Sequence, residues 1–506
     1  MNLLEAPWIP VRADHGAGPF RLLTLEELLC SDGAWRVSLP RDALELAGLQ
    51  LLVCMVQVMF MPKDDAGLRR RCRTPLTSEE LFDGFRPCAD WFDLEHPTYP
   101  FMQTRGVNAT EETPIQKLLI GLPEGNNHAF FNEAGEVRRL GGPVAAIALF
   151  NQASNSPSFG GGFQGNLRVG AMKAPITTLV SGHNLRETVW RNVVTLPRLR
   201  DYIPGYEPNF VTDRPTWVDL IGSQQTVRAT EIGLTRGLFW QPAKVELARA
   251  ASDAACDVLG GRPGLTFTGF RKERFRFIVD GTWPHPHGPR LALRKGGAIE
   301  ERFASFTTSA PAWTHLSEFV VPHPLMPEGN EGSVPAAPVY QEAVVFDGPL
   351  HLVVGGYRTK GASVIGRRHD LFTLSEGWRE EGKDRVRQLV NIGLDMKAAL
   401  RGKLFYAMQG DKKKGMKGIR LSLHETAETM FYGRTESLFH ETLRDGLSLK
   451  AWRLGKAAFI DSMTTTCRDI YEQLTDPYAH TPEFIPIIAW ARRSLDIDIK
   501  KLKEEA

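Results

Sequence analysis

Residues Ile147–Gly170 form an amide-rich run, carrying Asn151, Gln152 and Asn155, that leads into Phe159-Gly160-Gly161-Gly162-Phe163. Successive glycines leave the main chain with no side chain to hold a surface away. Its N–H groups can then bond a phosphate or a base edge at close range. The same glycines would equally serve a tight turn or bulge that needs only positive φ. A second stretch, Phe270-Arg271-Lys272-Glu273-Arg274-Phe275-Arg276-Phe277, alternates cations with aromatics. As a strand it sets Lys272, Arg274 and Arg276 on one face and Phe275 and Phe277 on the other, which stands long cations on an anchored element. A solvated strand face has the same pattern. Arg69-Arg70-Arg71-Cys72-Arg73, Arg294-Lys295, and Lys412-Lys413-Lys414 with Lys417 are further candidates for phosphate contact.

Catalytic constellations are poorly represented. His424-Glu425-Thr426-Ala427-Glu428 begins like a zinc-protease helix, but Glu428 stands where the second histidine ligand is required one turn later. His369-Asp370 is a dipeptide of metal-dependent phosphohydrolases, and such sites need further histidines and carboxylates. Its neighbours here are Arg367-Arg368, which pair a carboxylate or bind phosphate more readily. His285-Pro286-His287 follows Trp283-Pro284, and the prolines impose an extended stretch unsuited to a tetrahedral ligand pair. No phosphate-binding G-x-x-x-x-G-K-[ST] loop, G-x-S-x-G elbow or G-x-G-x-x-G turn occurs.

The elements that must position these residues divide in two. With 506 residues, the chain exceeds the size at which a single core stops growing. Its 61 basic and 59 acidic side chains leave a net charge of +2, which excludes a uniformly basic nucleic-acid coat and requires local patches. The six cysteines are scattered with no C-x-x-C pair, the pattern of free thiols in a reducing cytoplasm. The first residues lack the basic and long apolar segments of a secretory signal. The apolar run Leu44–Met61, interrupted by Glu45, Gln50 and Gln57, predicts a buried helix with Pro40 in its first turn, and no membrane span. Short β-like runs (Phe275–Val279, Leu350–Val354), a capping box at Thr77–Glu80 and many turns predict an irregular α+β domain over 1–374. Over 375–506 the period is helical. Trp452, Phe459, Met463, Cys467, Ile470 and Leu474 fall on one stripe, and Phe484, Ile487, Ile488, Ala491, Leu495, Ile499 and Leu502 on another. With Thr481 as cap and Pro482 opening the last helix, and further candidates near 378–406 and 421–443, this predicts an antiparallel four-helix bundle.

Long motifs, in order, carry a resemblance. MNLLEAPWIPVR, WRVSLPRDALELAGLQLLVC, PLTSEELF, HPTYPFMQTRGV, IALFNQASNSPSFGGGF, RGLFWQPAKVEL, TGFRKERFRF, TTSAPAWT, GGYR followed by RRHD, and SLHETAE together resemble the large subunit of the type I-E CRISPR Cascade surveillance complex, the CasA family. The resemblance implies a non-catalytic protein, with no cofactor, in a cytoplasmic antiviral ribonucleoprotein. Its implied partners are other Cascade subunits, a guide RNA, target double-stranded DNA and a separately recruited helicase-nuclease. Its implied task is to recognise the protospacer-adjacent motif (PAM) in duplex DNA and to aid strand opening, while guide pairing reads the long sequence.

Carried residue by residue, the resemblance places the family's glycine loop on Gly160, Gly161 and Gly162, with Ser158 replacing a preceding glycine and narrowing the loop's freedom. The family's minor-groove lysine finger falls on Arg274, beside Lys272; arginine suits a narrow electronegative groove. A loop engaging the PAM and the guide's 5′ end resembles Asn127–Asn132, with Phe130 and Asn132 at the matching positions. The family's glutamine wedge falls in Thr359-Lys360-Gly361, with Gly361 at the glutamine position, so Lys360 and the loop backbone are expected to hold the split duplex instead. Where some relatives carry a split cysteine set for zinc, Leu140-Gly141-Gly142-Pro143 and a single Cys256 imply none here. A metal-dependent nuclease using His369 and Asp370, and a scaffold whose DNA affinity ignores the motif, remain the alternatives.

Overall fold

A computed structural model describes the chain except residues 14–17, 123–134, 161, 170–171, 204, 209–211, 223–224, 252–254, 263, 275, 328, 330, 362, 380 and 506. Two compact units emerge. One comprises Met1–Ser309, Pro322–Phe346 and Leu352–Leu371; the other comprises Ala310–Val321, Asp347–His351 and Phe372–Ala506. The architecture is mixed α+β with a helical C-terminal region, as the periodicity predicts.

In the first unit, helix α1 (Asp42–Met59) is long and apolar enough to cross a membrane, yet it is the core helix. Leu51, Val53, Cys54, Met55 and Val56 are wholly buried. Two glutamines interrupt its apolar surface without being wasted. Gln57 donates to the Val194 carbonyl (3.0 Å) and accepts from the Val194 N–H (2.6 Å), and the Gln50 amide oxygen accepts from Asn155 (3.1 Å). The helix starts later than expected: Arg41 is its N-cap, Pro40 lies before the first turn, and Glu45 reaches back to the Leu39 N–H at 3.1 Å. Helix α2 (Gly142–Asn155), with Pro143 in its first turn, packs on α1 and is buried almost throughout. The Thr77 capping box forms as predicted, and Glu80 also pairs with Arg71, which holds the Glu80 carboxyl down at about 2.

Two sheets place the basic and glycine-rich segments. Strand β1 (Thr177–Val180) is an edge of one; in the other, β2 (Lys244–Arg249) pairs antiparallel with β3 (Thr266–Glu273), which also pairs with Thr113–Pro114 and Leu140–Gly141. The hairpin of β4 (Leu350–Lys360) and β5 (Ser363–Leu374) joins β1 through antiparallel pairing that sets Leu352 opposite Val180 and Gly355 opposite Thr177. The Phe270–Phe277 stretch is a strand only as far as Glu273. The expected continuous alternation therefore breaks between Lys272 and Arg274, and the next strand, Ile278–Asp280, pairs parallel with Thr226–Arg228.

Among the described residues, the second unit holds four long helices: α3 (Glu381–Gln409), α4 (Leu423–Gly446), α5 (Leu449–Ala479) and α6 (Ile485–Glu505). Side-chain contacts fix their sense. Arg468–Asp496 and Lys503–Asp461 run α5 against α6, Arg434–Gln473 and Phe439–Phe459 run α4 against α5, and Arg401–Glu428 together with Trp313, which lies on both Gly393 and Phe439, runs α3 against α4, so sequence neighbours are antiparallel. Both predicted stripes face inward: Phe459, Met463, Cys467 and Ile470, and Ile487, Ala491, Leu495 and Ile499, are buried. The last helix begins at Ile485 and not at Pro482, because the Thr481 carbonyl closes a turn with the Phe484 N–H (2.9 Å) ahead of it. Periodicity gave no sign that Ala310–Val321 belongs here. Trp313 explains it: its buried ring stacks on Phe439 at 4.6 Å and sits on Gly393, where a β-carbon would come within 2.8 Å.

One buried pair in the first unit makes folding pH-dependent. His285 and His287 are sealed, and neither ring nitrogen of His287 has a hydrogen-bond partner among the described residues. Burial, with the nearby Arg168 guanidinium, pulls His287 down to about 3. The unfolded histidine takes a proton below about pH 6.5 and the folded one does not, so stability falls as pH drops from there towards the folded value, by about 1.4 kcal/mol per unit. Denaturant titrations between pH 4 and 6 should therefore show a shallower acid slope in His287→Leu than in the wild type.

Candidate nucleic-acid interface

The glycine loop leaves the end of α2 through a chain of side-chain to backbone bonds. Gln152 and Ser156 both donate to the Ser158 carbonyl (3.0 and 2.9 Å), and Asn166 donates to the Ser156 carbonyl (2.8 Å). The Ser158 hydroxyl accepts from the Gly160 N–H at 3.2 Å and donates to the Gly160 carbonyl at 3.1 Å. The serine thus pins the loop and occupies one N–H that a glycine there would leave open. Phe159 is buried, and the half-buried Phe163 ring packs against the core 6.4 Å from it.

Over this loop the end of β3 closes. The Lys272 ammonium lies 5.3 Å, and the Arg274 guanidinium 5.2 Å, from the centre of the same Phe163 ring. Both are within the range of cation–π attraction. Lys272 also donates to the Phe159 carbonyl (3.2 Å), and Gln164 donates to the Phe277 carbonyl (2.7 Å), clasping the two segments. Glu273 between the cations turns to Lys244 (2.8 Å) and accepts from the Asn108 N–H (2.9 Å), which lowers its pKa and keeps its charge engaged away from them. Gly162 has φ +79°, and a β-carbon there would meet the Arg274 guanidinium at 3.0 Å. Sequence reasoning named the glycines and both cations. It missed Phe163 as their common platform, although an aromatic closing a glycine run opposite a basic strand is the signal that could have found it. Gly161, Phe130 and Asn132 lie outside the described residues, as does Phe275.

The Thr359-Lys360-Gly361 segment forms the tip of the β4–β5 hairpin. Thr359 is buried, Lys360 and Gly361 are exposed, and Gly361 turns the chain at φ +60°. Behind the tip, Tyr357 is buried, accepts from Asn151 (3.0 Å) and lies under Arg367 (4.7 Å). Gly355 allows β4 to lie on α1, since a β-carbon there would reach Leu46 at 2.3 Å.

The remaining basic candidates are largely engaged within the fold. Arg294 donates to the carbonyls of Gly329 (3.2 Å) and Met326 (3.3 Å), and Lys295 pairs with Glu300 at 3.8 Å. Lys414 sits 3.7 Å from the centre of the Trp490 ring and Lys417 pairs with Glu483 (2.6 Å), whereas Lys412 and Lys413 are exposed on a turn whose N–H groups at Lys413 and Lys414 are capped by Asp411. In the arginine run, Arg69 donates to the Val345 carbonyl and Arg71 pairs with Glu80, while Arg70 and Arg73 are exposed. His369 lies 3.5 Å from Asp42, whose carboxylate also takes Arg367 at 2.6 Å. Among the described residues, no group of three or more His, Cys, Asp or Glu converges as a metal cage requires.

A family model described as CRISPR-associated protein Cse1 matches residues 2–468. The chain belongs to the CRISPR-associated Cse1 family. A CRISPR-associated protein CasA/Cse1 of Thermus thermophilus is 30% identical over 214 residues, 38% of this chain and 39% of that protein, so the match spans about two-fifths of that relative's length. Solved Cse1 structures share the fold of this family member across its length. Thermus thermophilus CasA (Cse1) matches at a TM-score of 0.72 with 17% identity, covering 99% of each chain, and Thermobifida fusca Cse1 at 0.73 with 16% identity, covering 99% and 98%. A chain of a CRISPR RNA-guided surveillance complex matches at 0.68 with 15% identity, covering 98% and 99%.

The left-handed backbone at Gly162 generates a direct test. In Gly162→Ala the methyl group must both strain the backbone and displace Arg274, so denaturant unfolding should show a loss of about 1–2 kcal/mol. A loss within a few tenths would mean that the loop and Arg274 part easily.

Proposed function

We propose that this Cse1-family chain is the non-catalytic duplex-reading subunit of an RNA-guided CRISPR surveillance complex. It recognises the protospacer-adjacent motif, helps open the duplex for the guide RNA, and docks a separately encoded helicase-nuclease. The observation that carries the reading is the pair of cations, Lys272 and Arg274, held on one ring beside a glycine loop. Two cations fixed within reach of an uncluttered backbone suit a phosphate-lined groove, and arginine is the side chain favoured by a narrow minor groove. Minor-groove edges distinguish A·T from G·C and little more, which fits a short and tolerant signal. Here Gly160, Gly161 and Gly162 take the close approach of the DNA, Arg274 enters the groove, Lys272 neutralises phosphate, and Phe130 and Asn132 belong to the loop at the guide's 5′ end. Thr359, Lys360 and Gly361 hold the split duplex, and Arg294, Lys295, Lys412, Lys413 and Lys414 are secondary backbone contacts. Of the secondary set, the exposed Lys412 and Lys413 are the best supported. The engagement of Asp42 by Arg367 beside His369 supports a structural role for the His369-Asp370 dipeptide over nuclease chemistry.

The test is binding of the assembled complex, with guide RNA and partner subunits, to target duplexes carrying randomised flanking bases. Arg274→Ala should erase motif preference. Phe163→Leu, which keeps apolar packing but removes the ring, should weaken it. Lys272→Ala should weaken binding to all flanks and reduce the salt slope by about one. Equal binding to every flank by the wild type would assign the chain to scaffolding, and divalent-metal-dependent cleavage by the isolated chain would assign it to nuclease chemistry.

A further inference from the structure

Beside the hairpin tip stands an apolar side chain that the site above does not use. Met172 is 59% exposed, and its methyl carbon lies 3.8 Å from where a β-carbon on Gly361 would be. It is held there by the fold. The pairing that sets Thr177 opposite Gly355 brings the residues preceding Thr177 alongside β4 towards the hairpin tip. Along that path Ala174 and Ile176 are wholly buried, the Pro175 carbonyl lies against Gly356, and the Met172 carbonyl accepts from the Thr359 hydroxyl at 3.4 Å. An anchored backbone therefore presents a projecting methionine. With glycine at the tip, no side chain of residue 361 covers it. Lys173, half-buried, follows it in sequence, and Lys360, exposed, immediately precedes Gly361 at the tip.

An exposed methionine at a hairpin tip that also carries Lys173 and Lys360 suits a surface that is apolar between anionic groups. In water the thioether gains nothing. Against a base face it offers an unbranched, polarisable chain, and methionine is among the apolar side chains that proteins insert between base steps. The flanking ammonium groups would take the phosphates on either side. We propose that Met172 is the side chain that enters the base stack where the duplex first parts, with Lys173 and Lys360 gripping the separated backbones. This inference rests on the duplex-reading function proposed above and assigns the apolar insertion to a residue outside the hairpin itself.

The experiment uses the assembled complex and a target duplex with 2-aminopurine at the first base pair inside the motif, reading motif-dependent binding and the rate of opening separately. Met172→Ala should bind with wild-type motif preference but open the duplex about tenfold more slowly, the effect of losing roughly 1.4 kcal/mol in the opening step. Met172→Leu should recover most of the rate, and a substrate mismatched at that first pair should erase the difference. Wild-type opening by Met172→Ala overturns the proposal, as does a defect that persists on the mismatched substrate. Loss of motif preference in the wild type itself would instead remove the reading beneath it.

Discussion

A charge sealed inside the first unit governs the placement of everything at the candidate interface. Arg168 is 4% exposed, and its guanidinium donates to the amide oxygen of Asn155 (2.6 Å), the hydroxyl of Thr177 (3.2 Å) and the carbonyls of Ser154 (3.0 Å) and Ile176 (3.4 Å). Burial pulls its pKa down to about 9, so it remains a cation near neutrality. Hydrogen bonds from both terminal nitrogens offset the hydration this cation has lost, while its Nε has no partner among the described residues, and taking one of those partners away costs about 1.5–3 kcal/mol. Asn155 extends the network to Gln50 of α1 and to Asn151, and Asn151 reaches Tyr357 of β4. The end of α2, from which the glycine loop departs, is thereby locked to β1 and to the β4–β5 hairpin. Loop and hairpin tip cannot shift independently without leaving part of this network unpaired.

That coupling suits a protein whose overall charge is nearly balanced. In the proposed function, with no general field to hold a polyanion, contact with DNA would rest on a few cations whose positions are fixed in advance. Phe163 does this for Lys272 and Arg274, which otherwise would lose rotamer freedom on binding. Glu273, sitting between them in sequence, is drawn off by Lys244 and by the Asn108 N–H. Elsewhere the basic residues are mostly tied to carboxylates, carbonyls or rings, and a charge count alone overstates the number available.

Several features were legible before any coordinates. The α+β class, the helical C-terminal region and its inward stripes follow from periodicity, because burying an apolar stripe is the only way such segments gain stability in water. The capping box at Thr77 is local chemistry and forms as written. The structure departs from the local pattern where a hydrogen bond, a strand end or a ring contact outweighs it. Pro40 lies outside α1 because Glu45 satisfies the Leu39 N–H. The basic strand stops at Glu273, opposite Lys244, where its antiparallel partner β2 begins. Trp313 joined the helices because a flat ring found Gly393 and Phe439.

By itself the sequence determined which residues could do the work: glycines that let a surface approach, cations that could meet phosphate, and motifs specific enough to imply a family. Those are properties of residue type and order, and they need no geometry. Only the tertiary structure decided which of them meet. It set Lys272 and Arg274 on one aromatic ring, bound Arg294 and Lys414 into internal contacts, and brought Met172 to the tip at Gly361 from a remote part of the chain. Such pairings arise from strand register and buried hydrogen bonding between remote segments, and no local pattern along the chain records them.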